Sequence, residues 1–195
     1  MIYYMNNRYI PLTQQKYCCV PTCIQMVMYK NGIPLVSQES IGNALGLIVP
    51  EEDMYLFDNP KTGEMPISGW GTQIYRSEYS PNSAFKNLNI PLKMKLDLID
   101  SFNTVQDIKE YLMKHQESNS DVLVCYDYGV LFDKDWHGGH VNVFDSFDIA
   151  TGIVRLVDPE QNVPKYREVS VDKLFDALVT HGIEKSGGFW QIIKV

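Results

Sequence analysis

Three cysteines, Cys18, Cys19 and Cys23, fall inside the stretch QQKYCCVPTCIQMVMYKNG, and the histidine and aspartate best placed to work with one of them lie far downstream in GGHVNVFDSFDIATGIVRLVDPE. A thiolate that attacks a carbonyl, an imidazole that takes and returns a proton, and a carboxylate that orients the imidazole are the minimal parts for acyl transfer. Cys19 stands two residues before Pro21, and proline suits the opening turn of a helix, where its missing N–H is not wanted. A thiol at that end feels the positive pole of the helix dipole, which favours the thiolate. Cys19 is therefore the expected nucleophile, with Cys18, one step out on the loop, in reserve. Cys23, a turn further in, and Cys125, in an apolar run, read as small buried hydrophobes.

His140 opens the run HVNVF directly after Gly138 and Gly139, so its ring is expected at a strand end with little bulk beside it. Asp158 closes IVRLVDP, and a hairpin of that size sets its carboxylate beside the imidazole. One ring nitrogen would then be held by Asp158 while the other faces the thiol. His137 is the competing base, but in the turn DKDWHGG it reads as solvated. His115 and His181 fall in the last turns of two helices, where a cation at the negative end of the dipole explains them.

The elements that must position these groups follow from periodicity and breakers. Helices are expected over 20–30, ended by Asn31-Gly32; just after Ser37; over 82–88; over 105–115 behind a Thr104 cap; and over 171–181, capped by Ser170 and ended by Gly182. Residues 50–81, rich in Pro, Gly and Asn, read mostly as loop. Strands are expected in DVLVCYDYGVLF, HVNVFDSFD, GIVRLVDPE and GFWQIIKV. Helices first and antiparallel strands second make an α+β domain, with the nucleophile helix packed on a C-terminal sheet.

At 195 residues, 45% hydrophobic and 21% charged, the chain fits one domain over 1–195. The formal net charge of −7 without clustered Lys and Arg argues against a nucleic-acid partner. The absence of any long apolar run argues against membrane insertion and, with no signal-peptide pattern, favours a cytoplasmic protein. Three crowded cysteines and one distant one make a poor disulfide framework, and the second cysteine pair of a structural zinc site is missing. Neither a metal nor another cofactor is expected.

The stretch CVPTCIQMV resembles the nucleophile helix of the bacteriocin-processing (double-glycine leader) peptidases, a papain-like family whose helix reads Cys-Gly-x-Ala-Cys-Leu-x-Met-Val. SQESIGNALGL is similar to that family's next helix, and GHVNVFDSFDIATGIVRLVDP to its His strand, hairpin and Asp-Pro; the likeness covers residues 13–47 and 138–160. The resemblance implies a papain-like fold and a cysteine peptidase acting on a peptide or protein substrate, with Cys19 as nucleophile, His140 as base and Asp158 as the third member. It also implies a side-chain amide donor in an oxyanion hole, at Gln14 or at Gln15; the family's own position falls on Thr13. Val20 and Cys18 stand where the family has Gly and Asp. An amidase or acyltransferase using the same triad, or a catalytically inactive binding module of the same fold, are the alternatives.

Overall fold

A computed structural model describes residues 7–195. In chain order the elements are α1 (Cys19–Lys30), α2 (Gln38–Ala44), α3 (Pro81–Asn87), β1 (Leu92–Leu98), α4 (Val105–Glu117), β2 (Asp121–Asp127), α5 (Tyr128–Phe132), β3 (Gly139–Asp148), β4 (Ile153–Val157), β5 (Tyr166–Ser170), α6 (Val171–His181) and β6 (Gly188–Lys194). The strands form a single antiparallel sheet in the order β1-β6-β2-β3-β4-β5.

Because successive side chains on a strand point to opposite faces, the all-buried β2 feeds two cores. Leu123 and Cys125 join Val141, Val143 and Trp190 beneath α1, whose Ile24, Met26, Val27 and Met28 are fully buried. Val122, Val124 and Tyr126 join Phe144, Leu156 and Phe189 on the opposite face, covered by Ile108 and Leu112 of α4 and Leu174 and Leu178 of α6. Each such side chain taken out of water contributes about 1.5–3 kcal/mol. The sheet is thus sandwiched, and α1 is pressed onto its centre. That pins the first residue of α1 above the start of β3.

Local chemistry sets the ends. Thr104 and Asp107 form a reciprocal capping box on α4, and the Ser170 side chain caps α6. The expected long strand beginning at Asp121 stops at Asp127, whose carboxylate accepts the Val130 N–H at 2.9 Å and starts the short helix α5. Gly129 is needed there: a Cβ on it would lie 2.2 Å from the Trp136 carbonyl oxygen. Two strands were not expected from the sequence, β1 and β5; they add one partner each at the two edges of the sheet. Residues 50–81 are mostly loop, with short 3-10 turns at Glu51–Leu56 and Ser77–Tyr79. Among the described residues no helix is long and apolar enough to cross a membrane.

Candidate active site

Cys19 is the first residue of α1 and Cys18 its N-cap. The backbone turns sharply just before them, with Tyr17 in the left-handed region at φ 67°. This turn sends two adjacent thiols in opposite directions. Cys18 is fully buried with Leu47, Val49 and Phe57 under the 50–81 loop, and burial pushes its thiol up to about 12. The reserve role for Cys18 is therefore corrected: it is a packing residue. Cys23 and Cys125 are buried, as read from the sequence, and the Cys23 thiol donates to the Val141 carbonyl at 3.2 Å. Cys19 alone of the four is partly exposed.

Cys19 shares a cavity of about 360 Å³ with His140, at the head of β3. The His140 ring is buried, and its Nε2 lies 2.9 Å from Asp158 Oδ1. The β3–β4 hairpin makes that approach: Val157 pairs with Val143, and Asp158 follows one residue later. With Nε2 occupied, Nδ1 is the nitrogen left for the thiol. Burial disfavours a charged imidazole, but the Asp158 charge and hydrogen bond, reinforced by the neighbouring Cys19 thiol, outweigh it and raise the His140 pKa.

Asp158 is itself fully buried and well supplied with donors. Its Oδ1 also accepts the Glu160 N–H at 2.9 Å, and its Oδ2 faces Arg167 Nη1 at 3.2 Å. Burial would raise its pKa, but the His140 charge and hydrogen bond, with the Glu160 and Arg167 bonds, hold it below the ordinary carboxylate range. Arg167 also donates to Tyr128 Oη at 3.1 Å, and its guanidinium lies 3.1 Å from the centre of the Phe132 ring. Nothing in the sequence reading pointed to Arg167; it comes from β5, the strand that reading missed.

The two glutamines part company. Gln14 lines the cavity with Cys19 and His140, its backbone N–H donating to Pro159 O at 2.9 Å and its Nε2 to Glu160 Oε2 at 2.7 Å, while its Oε1 is buried without a partner. Gln15 turns the other way: its side-chain amide donates to the Leu56 carbonyl, and its backbone N–H to Gln38 Oε1 at 2.6 Å. Of the two, the structure brings Gln14 to Cys19 and His140.

Of the remaining histidines, His137 is exposed in its turn as expected, while His115 and His181 differ from expectation. His137 lines the cavity with an exposed ring, and its Nδ1 lies 3.0 Å from Asp127 Oδ1. His115 and His181 do sit in last helical turns, but both are buried, and burial lowers their pKa values, that of His181 to about 4. They are neutral packing groups and not the cations expected there. His181 closes the floor beneath Gly139, where an added Cβ would come within 2.7 Å of its ring. Trp70 and Trp136 both reach the cavity, together with Met65 from the long loop.

No family model and no curated protein matches the chain. Among solved structures it is similar to a crystal structure from Bacillus anthracis provisionally described as a C39-like peptidase, with 17% identity, a TM-score of 0.57 and 95% of each chain covered. What the two share across nearly their whole length is the fold, the papain-like α+β arrangement of N-terminal helices on an antiparallel sheet.

Proposed function

We propose that this chain is a cysteine peptidase that hydrolyses a peptide or isopeptide bond through Cys19, His140 and Asp158. The observation that carries the reading is the buried His140 ring, held from Nε2 by Asp158 with Nδ1 left toward the cavity that contains the Cys19 thiol. The fold shared with a protein described as a C39-like peptidase supports it. In this reaction Cys19 Sγ, its proton held on His140, adds to the carbonyl carbon. The oxygen becomes an oxyanion facing the cavity-side amide of Gln14 and the Cys19 backbone N–H. His140 then gives its proton to the departing amine, leaving a thioester on Cys19. Water, deprotonated by the same ring, hydrolyses the thioester and restores the thiol. Asp158 keeps the ring oriented and stabilises the imidazolium between the two steps.

The resemblance of CVPTCIQMV to the double-glycine leader peptidases makes a peptide with Gly-Gly before the scissile bond the first substrate to try. Amine capture of the thioester would give acyl transfer with the same residues, and a glutamine side chain in place of a peptide bond would give deamidation. The test is a peptide-library digest read by mass spectrometry, with wild type beside Cys19→Ala. Cleavage by the first and none by the second, at matched circular dichroism, is the expected result; cleavage that survives in Cys19→Ala overturns it. One feature favours a second reading, a binding module of the same fold: Gln14 gives a hydrogen bond to Glu160 and so has one N–H left for an oxyanion. An intact library with both proteins would select that reading.

A further inference from the structure

The geometry points to Trp136 as the residue that selects substrates, by offering a fixed aromatic face to an apolar side chain on the amine side of the cleaved bond. This rests on the peptidase reading above and adds to it the class of residue that follows the scissile bond.

Trp136 is 56% exposed, yet it is held from three directions. Its indole stacks on the Tyr128 ring at 5.0 Å between centroids and 12° between planes. Its carbonyl lies in the close approach to Gly129, and a Cβ on Gly138 would meet the indole at 2.6 Å. The Tyr128 ring beneath it is mostly buried and is fixed in turn by Arg167. An exposed large aromatic is common on a surface; one whose plane is set by a stacked neighbour and two glycines is pre-organised, which lowers the entropy lost on binding.

Its place in the cavity assigns the side of the substrate. Tyr128 also meets the His140 ring edge-on at 5.3 Å and 89°, so His140, Tyr128 and Trp136 form a continuous run of rings. The departing amine must lie against the imidazole that protonates it. The residue that carries this amine therefore extends over the 136–139 turn, with its side chain toward Trp136, Met65 and Trp70. Met65 is 64% exposed on the rim, an adaptable apolar partner for that side chain. The charged lining groups Lys16 and Glu160 lie with Gln14 at the other end of the cavity. A volume near 360 Å³ is at the lower end of ligand sites, enough for one large side chain with its backbone.

The experiment uses dipeptide amides with a free amino terminus, Phe-Gly, Leu-Gly, Ser-Gly and Asp-Gly amides, as mimics of the departing segment. Protection of Cys19 from iodoacetamide is followed by mass spectrometry in wild type, Trp136→Ala and Trp136→Phe. The readout needs a labelled thiol and no turnover, so it stands apart from the question of hydrolysis. The Phe and Leu peptides are expected to protect at about tenfold lower concentration than the Ser and Asp peptides, the gain from burying one apolar side chain. Trp136→Ala should remove that preference and Trp136→Phe should keep most of it, with thermal unfolding confirming both folds. Equal protection by all four peptides, protection by none, or a preference unchanged in Trp136→Ala overturns the assignment. A preference that depends on Trp136, found together with an undigested library, would uphold the subsite and discard the peptidase.

Discussion

Arg167 Nη1 lies 3.2 Å from Asp158 Oδ2, the oxygen that His140 leaves free. A fully buried carboxylate needs partners on both oxygens, because an unpaired buried charge is far more destabilising than a pair is stabilising. Arg167 supplies the second partner and ties it to Tyr128 and Phe132. Replacing Arg167 with Met is expected to lower the unfolding free energy by about 1–3 kcal/mol, with Asp158 still held by His140 and the Glu160 N–H. Arg167→Lys should recover only part of this, since an ammonium cannot reproduce the planar contact with Phe132 while reaching Asp158 Oδ2 and Tyr128 Oη. Urea denaturation of the three proteins measures it; a Met variant as stable as wild type would remove Arg167 from the account.

Gln14 and Gln15 make opposite predictions. Gln14→Ala should lower kcat by about 10²–10³ with little change in KM, the signature of a lost oxyanion donor. Gln15→Ala should leave kcat close to wild type and lower stability instead, by the loss of its bond to the Leu56 carbonyl. Steady-state kinetics on one cleaved peptide separates them, and a reversed order would move the oxyanion donor to Gln15.

The raised pKa of His140 sets a pH window. Its protonated form persists above the ordinary histidine value of about 6.5, because Asp158 and the Cys19 thiol outweigh the penalty of burial. A folded value above the unfolded one means that this stabilisation is complete below about 6.5 and is lost as pH rises through the higher folded value. The alkaline limb of kcat/KM is therefore expected well above pH 6.5. Asp158→Asn should draw that limb downward and lower the plateau. A limb at 6.5 in wild type, or one that Asp158→Asn leaves in place, would contradict the pairing.

His181 works in the other direction. Burial holds its folded pKa near 4, so between about 4 and 6.5 the unfolded chain binds a proton that the folded chain refuses. Its contribution is intact above 6.5 and is lost as pH falls toward 4, amounting to about 3 kcal/mol. His181→Leu should lose correspondingly less stability than wild type between pH 7 and pH 4, read from denaturant midpoints. An identical acid slope in the two proteins would show that the ring is not buried in solution as it is here.

Much of the site's scaffolding could be read from residue order. Pro21 and the Asn31-Gly32 stop marked α1, and the turn glycines before His140 marked the head of β3, because these signals are local and strong. The partners of Asp158 were not legible. Arg167 reaches it from β5, a five-residue strand lying after a turn-rich segment, and only the sheet order brings the two together. β1 carries a local signal of its own: LKMKLDL alternates apolar and polar residues as an edge strand does. The division of labour between Cys18 and Cys19 depended on one left-handed residue, Tyr17, that no composition rule singles out. Helix-end rules likewise placed His115 and His181 correctly but said nothing of the tertiary burial that keeps them neutral.

The central claim is that Cys19 and His140 act as a pair, and alkylation of the four cysteines measures it. Iodoacetamide labelling across pH, read at Cys18, Cys19, Cys23 and Cys125 in wild type and in His140→Ala, is the decisive experiment. Burial pushes the thiols of Cys18, Cys23 and Cys125 up and out of reach, so Cys19 should label fastest in both proteins, and its own rate at neutral pH should fall by about tenfold or more in His140→Ala. If Cys19 labels no faster than the buried three in wild type, or at an unchanged rate without His140, the thiol and the imidazole are not a catalytic pair.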